Sequence, residues 1–279
     1  MNALEIKNVT KKYKGFTLDN INFTLPSGCI MGLIGENGAG KSTLIKAILG
    51  MIKYDGTISV LGAEGDAELL NAKQDIGVVL DQSYFPDGIN VKQVNSIMKN
   101  TYENWDENEF FGYIDKFSLP LDRAFKDYSR GMRMKLSMAV ALSHKAKLLI
   151  LDEPTGGLDP IVRDEIVDIL YDYTRAEDHS VLMSSHILSD LEKLCDYIAF
   201  IHEGKLVFVD EKDALTERYG LVNCSEAEFE FIKDAAVGVR KNGYSVQALV
   251  DREKASGIKT ESATLEEIIV FMVKGAGER

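Results

Sequence analysis

No stretch of this 279-residue sequence reaches the roughly 18 consecutive apolar residues that a membrane-spanning helix requires. The first residues, MNALEIKNVTKKY, also lack the apolar core of a signal peptide. The chain is therefore expected neither to cross a membrane nor to enter the secretory route by itself. Cysteine is scarce: Cys29, Cys195 and Cys224 are odd in number and widely spaced, with no CxxC pair or His-rich companion. That argues against a disulfide framework and a zinc site, and favours a reducing cytoplasm. Excess positive charge is missing as well. A net charge of −12 disfavours a face that neutralises nucleic-acid phosphates, leaving only a local basic stripe within an acidic total, and no nucleic-acid partner is expected. Long internal repeats, low-complexity tracts and sustained heptads are absent too. What remains is an ordinary globular composition, 45% hydrophobic, sufficient for one large core and a small accessory domain.

Within that composition one short stretch carries chemistry. Residues 35–43 read GENGAGKST, and the spacing of Gly35, Gly40, Lys41 and Ser42 is that of a phosphate-binding loop. Glycines let backbone N–H groups turn inward around an anion, and the lysine adds a mobile positive charge. The apolar run CIMGLI before it suits a buried strand, and TLIKAIL after it suits an amphipathic helix. The loop therefore opens a helix whose N-terminal dipole and free amides also face the anion. Asn37, Gly38, Ala39 and Thr43 complete the expected phosphate cradle.

Residues 1–30 alternate as strands, with Pro26, Ser27 and Gly28 as a turn, and form an expected antiparallel flank to a nucleotide core. GTISVL at 56–61 and IGVVL at 76–80 suggest another strand pair, followed by a loop over 81–90. From 91 to 146 helical periodicity replaces the strand signals, so a helical insertion interrupts the sheet. The sheet resumes at KLLILDEP from Lys147. A helix is predicted over 160–174, capped by Asp159, with Val162, Ile166, Ile169, Leu170 and Tyr173 on one face. SVLMS at 180–184 and YIAFI at 197–201 add buried strands. Beyond about Asp210 a mixed segment ends in a helix introduced by the capping-box pair Thr264 and Glu267.

LLILDEP, at 148–154, is the second chemical signal. Its apolar residues deliver Asp152 to a strand end, where a carboxylate can hold Mg²⁺ through the water shell, and Glu153 follows, placed to polarise a water. Ser42 would give a hydroxyl to Mg²⁺, and Lys41 would reach the β- and γ-phosphates of a bound nucleotide. Gln82 follows IGVVL by two residues, and His186 follows SVLMS, so both are expected at the ligand-facing ends of strands. His144, His179 and His202 have no such placement.

This ordered set resembles the nucleotide-binding subunit of ABC transporters over residues 2 to about 210. The resemblance implies that Tyr13, with Phe16 as a competing aromatic, stacks on adenine, that Gln82 senses both Mg²⁺ and the transport subunit, and that His186 contacts the γ-phosphate. It also implies that Gly157, Leu158 and Asp159 join two ATP sites. YSRGM, at 128–132, occupies the signature position; Ser129 and Gly131 match, while Tyr128, Arg130 and Met132 replace the usual leucine, glycine and glutamine. A serine hydroxyl and the amides of a helix start still suffice physically to cap a phosphate.

The resemblance further implies an α/β phosphate-loop NTPase core with an antiparallel β flank and a helical insertion (about 83–146), making an ATP-binding domain over 1–210. From its own residues, a small C-terminal α+β domain is expected over 211–279, beyond the resemblance. The resemblance also implies an ATPase on the cytoplasmic face of the membrane that works with transmembrane permease subunits. The resemblance implies too that a second ATP-binding subunit, identical or paralogous, shares its sites. The variant signature resembles those of bacterial exporters of peptides, lipids or antimicrobials. Residues 83–99 form the candidate contact surface for the permease, with Tyr84 and Phe85 as anchors or as packing within the insertion. Two other readings share the loop. An ABC-type ATPase acting on nucleic acid or ribosomes usually carries two cassettes or a long coiled coil, and a small-molecule kinase would leave Glu153, His186 and the signature-like segment without purpose.

Overall fold

Alternation of apolar and polar residues at the start of the chain produces two paired strands, β1 (Asn2–Tyr13) and β2 (Phe16–Pro26), with Leu4, Ile6, Val9, Leu18, Ile21 and Leu25 buried on one side. The apolar run that follows is β3 (Ile30–Ile34), buried throughout. It leads through the glycine loop into helix α1 (Lys41–Ile48), which begins two residues earlier than the periodicity predicts and so takes Lys41 and Ser42 into its first turn. Next come β4 (Asp55–Val60), the short β5 (Ala63–Glu64), helix α2 (Gly65–Ala72) and β6 (Ile76–Val79).

The expected helical insertion consists of α3 (Val91–Lys99), α4 (Glu107–Lys116) and α5 (Arg130–Leu142). After it the chain returns to the sheet as β7 (Leu148–Asp152), crosses through α6 (Pro160–Tyr173) to β8 (Ser180–Ser185), and passes through α7 (Leu188–Leu194) to β9 (Tyr197–His202) and β10 (Lys205–Glu211). The computed structural model describes residues 2–81, 85–242, 245–255 and 257–274.

These strands form one sheet in the order β5-β4-β1-β2-β10-β9-β3-β8-β7-β6. The β5-β4-β1-β2 end is antiparallel, and β9, β3, β8, β7 and β6 run parallel. One expectation is corrected here: the strands at 55–60 and 76–79 are not partners. β4 pairs with β1 and β5, whereas β6 pairs with β7 at the opposite edge. The core links the flank to the parallel strands through Leu44, Ile45 and Ile48 of α1, packed with Leu4, Leu18, Leu33 and Ile150.

The chain divides into two compact units at Val209 and Asp210. The second contains α8 (Lys212–Arg218), β11 (Tyr219–Cys224), α9 (Glu226–Phe229), β12 (Ala236–Asn242), β13 (Ser245–Asp251), β14 (Glu261–Ser262) and α10 (Leu265–Lys274). Its strands form an antiparallel sheet in the order β12-β13-β11-β14 over a core that includes Val222, Phe229, Ile232, Val239, Val246 and Val250. Thr264 caps α10 reciprocally: its amide donates to Glu267 Oε2 at 2.8 Å, and the Glu267 amide donates to Thr264 Oγ1 at 3.2 Å.

Candidate functional site

The parallel strands bring their C-terminal ends together, the place where open α/β sheets bind ligands. Ile34 is in register with Ser185, Asp152 with Ser184, and Val79 with Leu151. The glycine loop, His186, the Asp152-Glu153 pair and Asp81 therefore emerge along one rim.

The loop itself is shaped for an anion. Gly38 and Gly40 have φ of +86° and +118°, a backbone region that residues with a Cβ rarely occupy. Gly40 holds the cap position of α1 without any side-chain cap, and the first turn has no acidic residue. The first-turn amides have no carbonyl acceptor within the helix, and their dipole end favours negative charge. They open onto a cavity of about 270 Å³ lined by Asn37, Gly38, Gly40, Lys41, Ser42, Thr43 and Glu153, together with Phe16, Glu36 and Asp81. Gly35 and Ala39 are buried and do not line it. Lys41 Nζ donates to Gly35 O at 2.7 Å, and the Ala39 amide to Glu36 O at 3.0 Å.

Lys41 is only 6% exposed. Its Nζ lies 3.4 Å from Glu153 Oε1, and the other oxygen of the same carboxylate, Oε2, lies 2.6 Å from His186 Nδ1. One carboxylate thus bridges the loop lysine and the histidine. Glu153 holds this position in a left-handed conformation, φ +52°, unusual for a residue with a long side chain. Its amide donates to Ser184 Oγ at 3.0 Å, and the Ser184 hydroxyl donates in turn to Asp152 Oδ1 at 2.6 Å. Ser184 is buried and fixes both acidic residues. Its signal in the sequence was only its place in β8, opposite Asp152.

Other expected residues lie further out. Tyr13 is 47% exposed, with Lys11 Nζ 5.3 Å from its ring centre, at the turn end of the β1-β2 hairpin. Phe16, its cross-strand partner, lines the cavity and Tyr13 does not. Gln82 and Tyr84 fall outside the described residues. Ser129 is the cap of α5, its Oγ accepting from the Met132 amide at 3.2 Å. Neither it nor Gly131 lines the cavity of its own chain. Tyr128 is buried and its hydroxyl donates to Pro120 O at 2.7 Å, which anchors the segment. Asp159 caps α6 as the sequence predicts, its Oδ1 accepting from the amides of Ile161 and Val162 at 3.2 and 3.1 Å. His144 is fully buried, stacked on Tyr102 at 3.9 Å.

A parallel sheet with a glycine loop and an uncapped helix at its C-terminal rim, facing an acidic pair at the end of a neighbouring strand, defines the phosphate-loop nucleotide-binding class. The family model for "ABC transporter" matches residues 18–156. The ABC transporter ATP-binding protein YhcH of Bacillus subtilis, itself uncharacterised, is 39% identical over 213 residues, covering 74% of this chain and 68% of YhcH. The lantibiotic transport ATP-binding protein SrtF of Streptococcus pyogenes is 37% identical over 219 residues, covering 75% of this chain and 91% of SrtF. A solved structure described as the ATP-binding subunit of an ABC transporter superposes with a TM-score of 0.70 at 25% identity, covering 77% of this chain and 92% of that one. The chain belongs to the family of ABC transporter ATP-binding proteins.

Proposed function

We propose that the chain is the ATP-hydrolysing subunit of a membrane exporter and that residues 35–43 hold the phosphates of ATP. The bridge from Lys41 through Glu153 to His186 carries this reading. Within it, the first-turn amides of α1 and Lys41 bind the β- and γ-phosphates, and Ser42 and Asp152, with Gln82, supply oxygen ligands suited to Mg²⁺. Bound MgATP supplies the terminal phosphoryl group, its charge partly neutralised by the metal. Glu153 then orients and polarises the attacking water, and His186, hydrogen-bonded to it, steadies the carboxylate and faces the γ-phosphate. Tyr13 or Phe16 stacks on the adenine; the position of Phe16 in the cavity wall favours Phe16 for contact near the phosphates and leaves the exposed Tyr13 ring for the base.

A second ATP-binding subunit, identical or paralogous, completes the site. What supports this is that Ser129 and Gly131 do not line the cavity of their own chain, so a partner's signature segment can cap the γ-phosphate as the two chains close. No helix among the described residues is long and apolar enough to cross a membrane, and the pore is assigned to separate permease subunits, with this chain peripheral on the cytoplasmic face. A groove of about 430 Å³ lined by Val78, Leu80, Phe85, Pro86, Ile97 and Met98 is their proposed seat, directly beside the end of β6. Phe85 meets Phe125 edge-on at 5.5 Å, so it both packs within the insertion and presents a face to the groove. Transport of a lantibiotic by the system of SrtF points to an antimicrobial peptide or a related amphipathic cargo. Residues 1–210 form the motor, and 211–279 adjust self-association or regulation. Affinity purification from native membranes tests the reading: a co-purifying hydrophobic chain is expected, and recovery with ribosomes or DNA would contradict it.

A further inference from the structure

The start of α5 carries a cation to the wall of the phosphate cavity of the same chain. Arg130 Nη2 lies 2.9 Å from Asp81 Oδ1, a pairing across 49 positions of sequence, and Asp81 lines the cavity together with Lys41, Ser42 and Thr43. Arg130 has a second neighbour. A Cβ built on Gly157 would come within 2.8 Å of Arg130 Nη1, so the guanidinium lies against the loop that precedes α6. Its guanidinium therefore lies between the exit of β6, where it pairs with Asp81, and the loop at Gly157.

A carboxylate on the wall of a cavity suited to phosphates is an electrostatic conflict. A triphosphate entering beside Asp81 meets like charge, screened in part by water because the Asp81 and Arg130 side chains are 49% and 55% exposed. We propose that Arg130 is a positioning residue for nucleotide binding in its own chain: it neutralises Asp81 and turns that carboxylate away from the incoming phosphates. Asp81 in return ties the start of α5 to the nucleotide core. The inference rests on the reading that this cavity takes ATP. It gives the unusual arginine of YSRGM a role that needs no second chain.

The consequence is conditional, since the value of Arg130 depends on Asp81. The test is binding of a fluorescent ATP analogue to the full-length chain, without Mg²⁺ and at concentrations where light scattering shows a monomer. Arg130→Ala is expected to weaken binding by about three- to tenfold, the scale of one uncompensated charge several ångströms from a phosphate in a partly screened site. Arg130→Lys, which keeps the charge, should stay within about twofold of wild type. Asp81→Asn should bind as well as wild type or better, and adding Arg130→Ala to it should then change affinity by less than about twofold. Raising the salt concentration should shrink the Arg130→Ala effect. Wild-type binding by Arg130→Ala would overturn the inference. So would an equal loss in the Asp81→Asn background, which would mean that Arg130 touches the nucleotide itself or acts through the fold. Lys41→Ala separates the two levels of the account: if it binds the analogue normally, the cavity is not the nucleotide site and both readings fall. If Lys41→Ala abolishes binding while Arg130→Ala does not weaken it, only this inference fails.

Discussion

Gly40→Ala places one methyl group where the phosphate loop has no room for it. At φ +118° and ψ 1°, Gly40 occupies a backbone region that costs a residue with a Cβ about 1–3 kcal/mol. The new Cβ would also stand 2.9 Å from Leu18 Cδ1 and 3.0 Å from Phe16 Cζ. Leu18 is fully buried and cannot retreat, whereas Phe16 is only partly buried and can give. Overpacking of this kind adds about 1–2 kcal/mol, toward the low end of the usual range. The combined strain, about 2–5 kcal/mol, has two outlets. If the loop holds its shape, the chain loses stability in equilibrium urea unfolding. If the loop relaxes, its amides leave the geometry that grips phosphate and affinity falls. The loss of unfolding free energy plus the loss of binding free energy for an ATP analogue should therefore reach at least about 2 kcal/mol. Gly38→Ala is the control. Its φ of +86° is also strained, but its Cβ would meet nothing within 4 Å, so the corresponding sum should lack the overpacking contribution and stay within about 1–3 kcal/mol. Equal effects from the two substitutions would refute the close packing of Phe16 and Leu18 beneath the loop.

Three further outcomes are expected. Glu153→Gln should lower ATP hydrolysis by about 10²- to 10⁴-fold while leaving nucleotide affinity unchanged or tighter, because the carboxylate no longer competes for Lys41; steady-state turnover and equilibrium binding separate the two effects. Burial holds the His144 imidazole below the ordinary histidine range, outweighing the carbonyls of Val140 and Ile76 that act the other way. Its contribution to stability is therefore complete above an unfolded value of about 6.5 and is lost as pH falls through the lower folded value, so urea unfolding at pH 7 and pH 5 should show a larger acid loss in wild type than in His144→Gln. A chain ending at residue 210 should still bind the ATP analogue and should self-associate more weakly; a folded truncation that binds no nucleotide would contradict the division of labour between the units.

The nucleotide machinery was legible where its chemistry is local in sequence. Gly35 to Ser42 declare themselves by spacing, LLILDEP by an apolar run ending in acids, and the caps Asp159 and Thr264 by position before a periodic segment. Contacts made by sheet register were not legible. Asp81 and Ser184 reach the site only because β6 and β8 are laid beside the strands they serve, and nothing in their own neighbours announces it, whereas Phe16 was legible only as a competitor of Tyr13 and not as the aromatic that lines the cavity. Alternation at 56–61 and 76–80 identified two strands but not their partners, because periodicity reports a buried face and is silent on which strand covers an edge. Helix α2 escaped for a simpler reason: of its two leucines, Leu70 is exposed and Leu69 only partly buried, so it has no apolar stripe to read. The β12-β13 hairpin of the second unit was likewise hidden inside a segment that looked merely mixed.

The shared site is the center of the account, and the mass of the Glu153→Gln chain in solution with MgATP tests it most directly. Light scattering should give the mass of two chains in MgATP and of one chain in MgADP, and adding Ser129→Arg, at the cap of α5, should return the MgATP sample to one chain. A Glu153→Gln chain that stays monomeric in saturating MgATP, with wild-type protein hydrolysing ATP as a monomer at a rate independent of its concentration, would contradict the account.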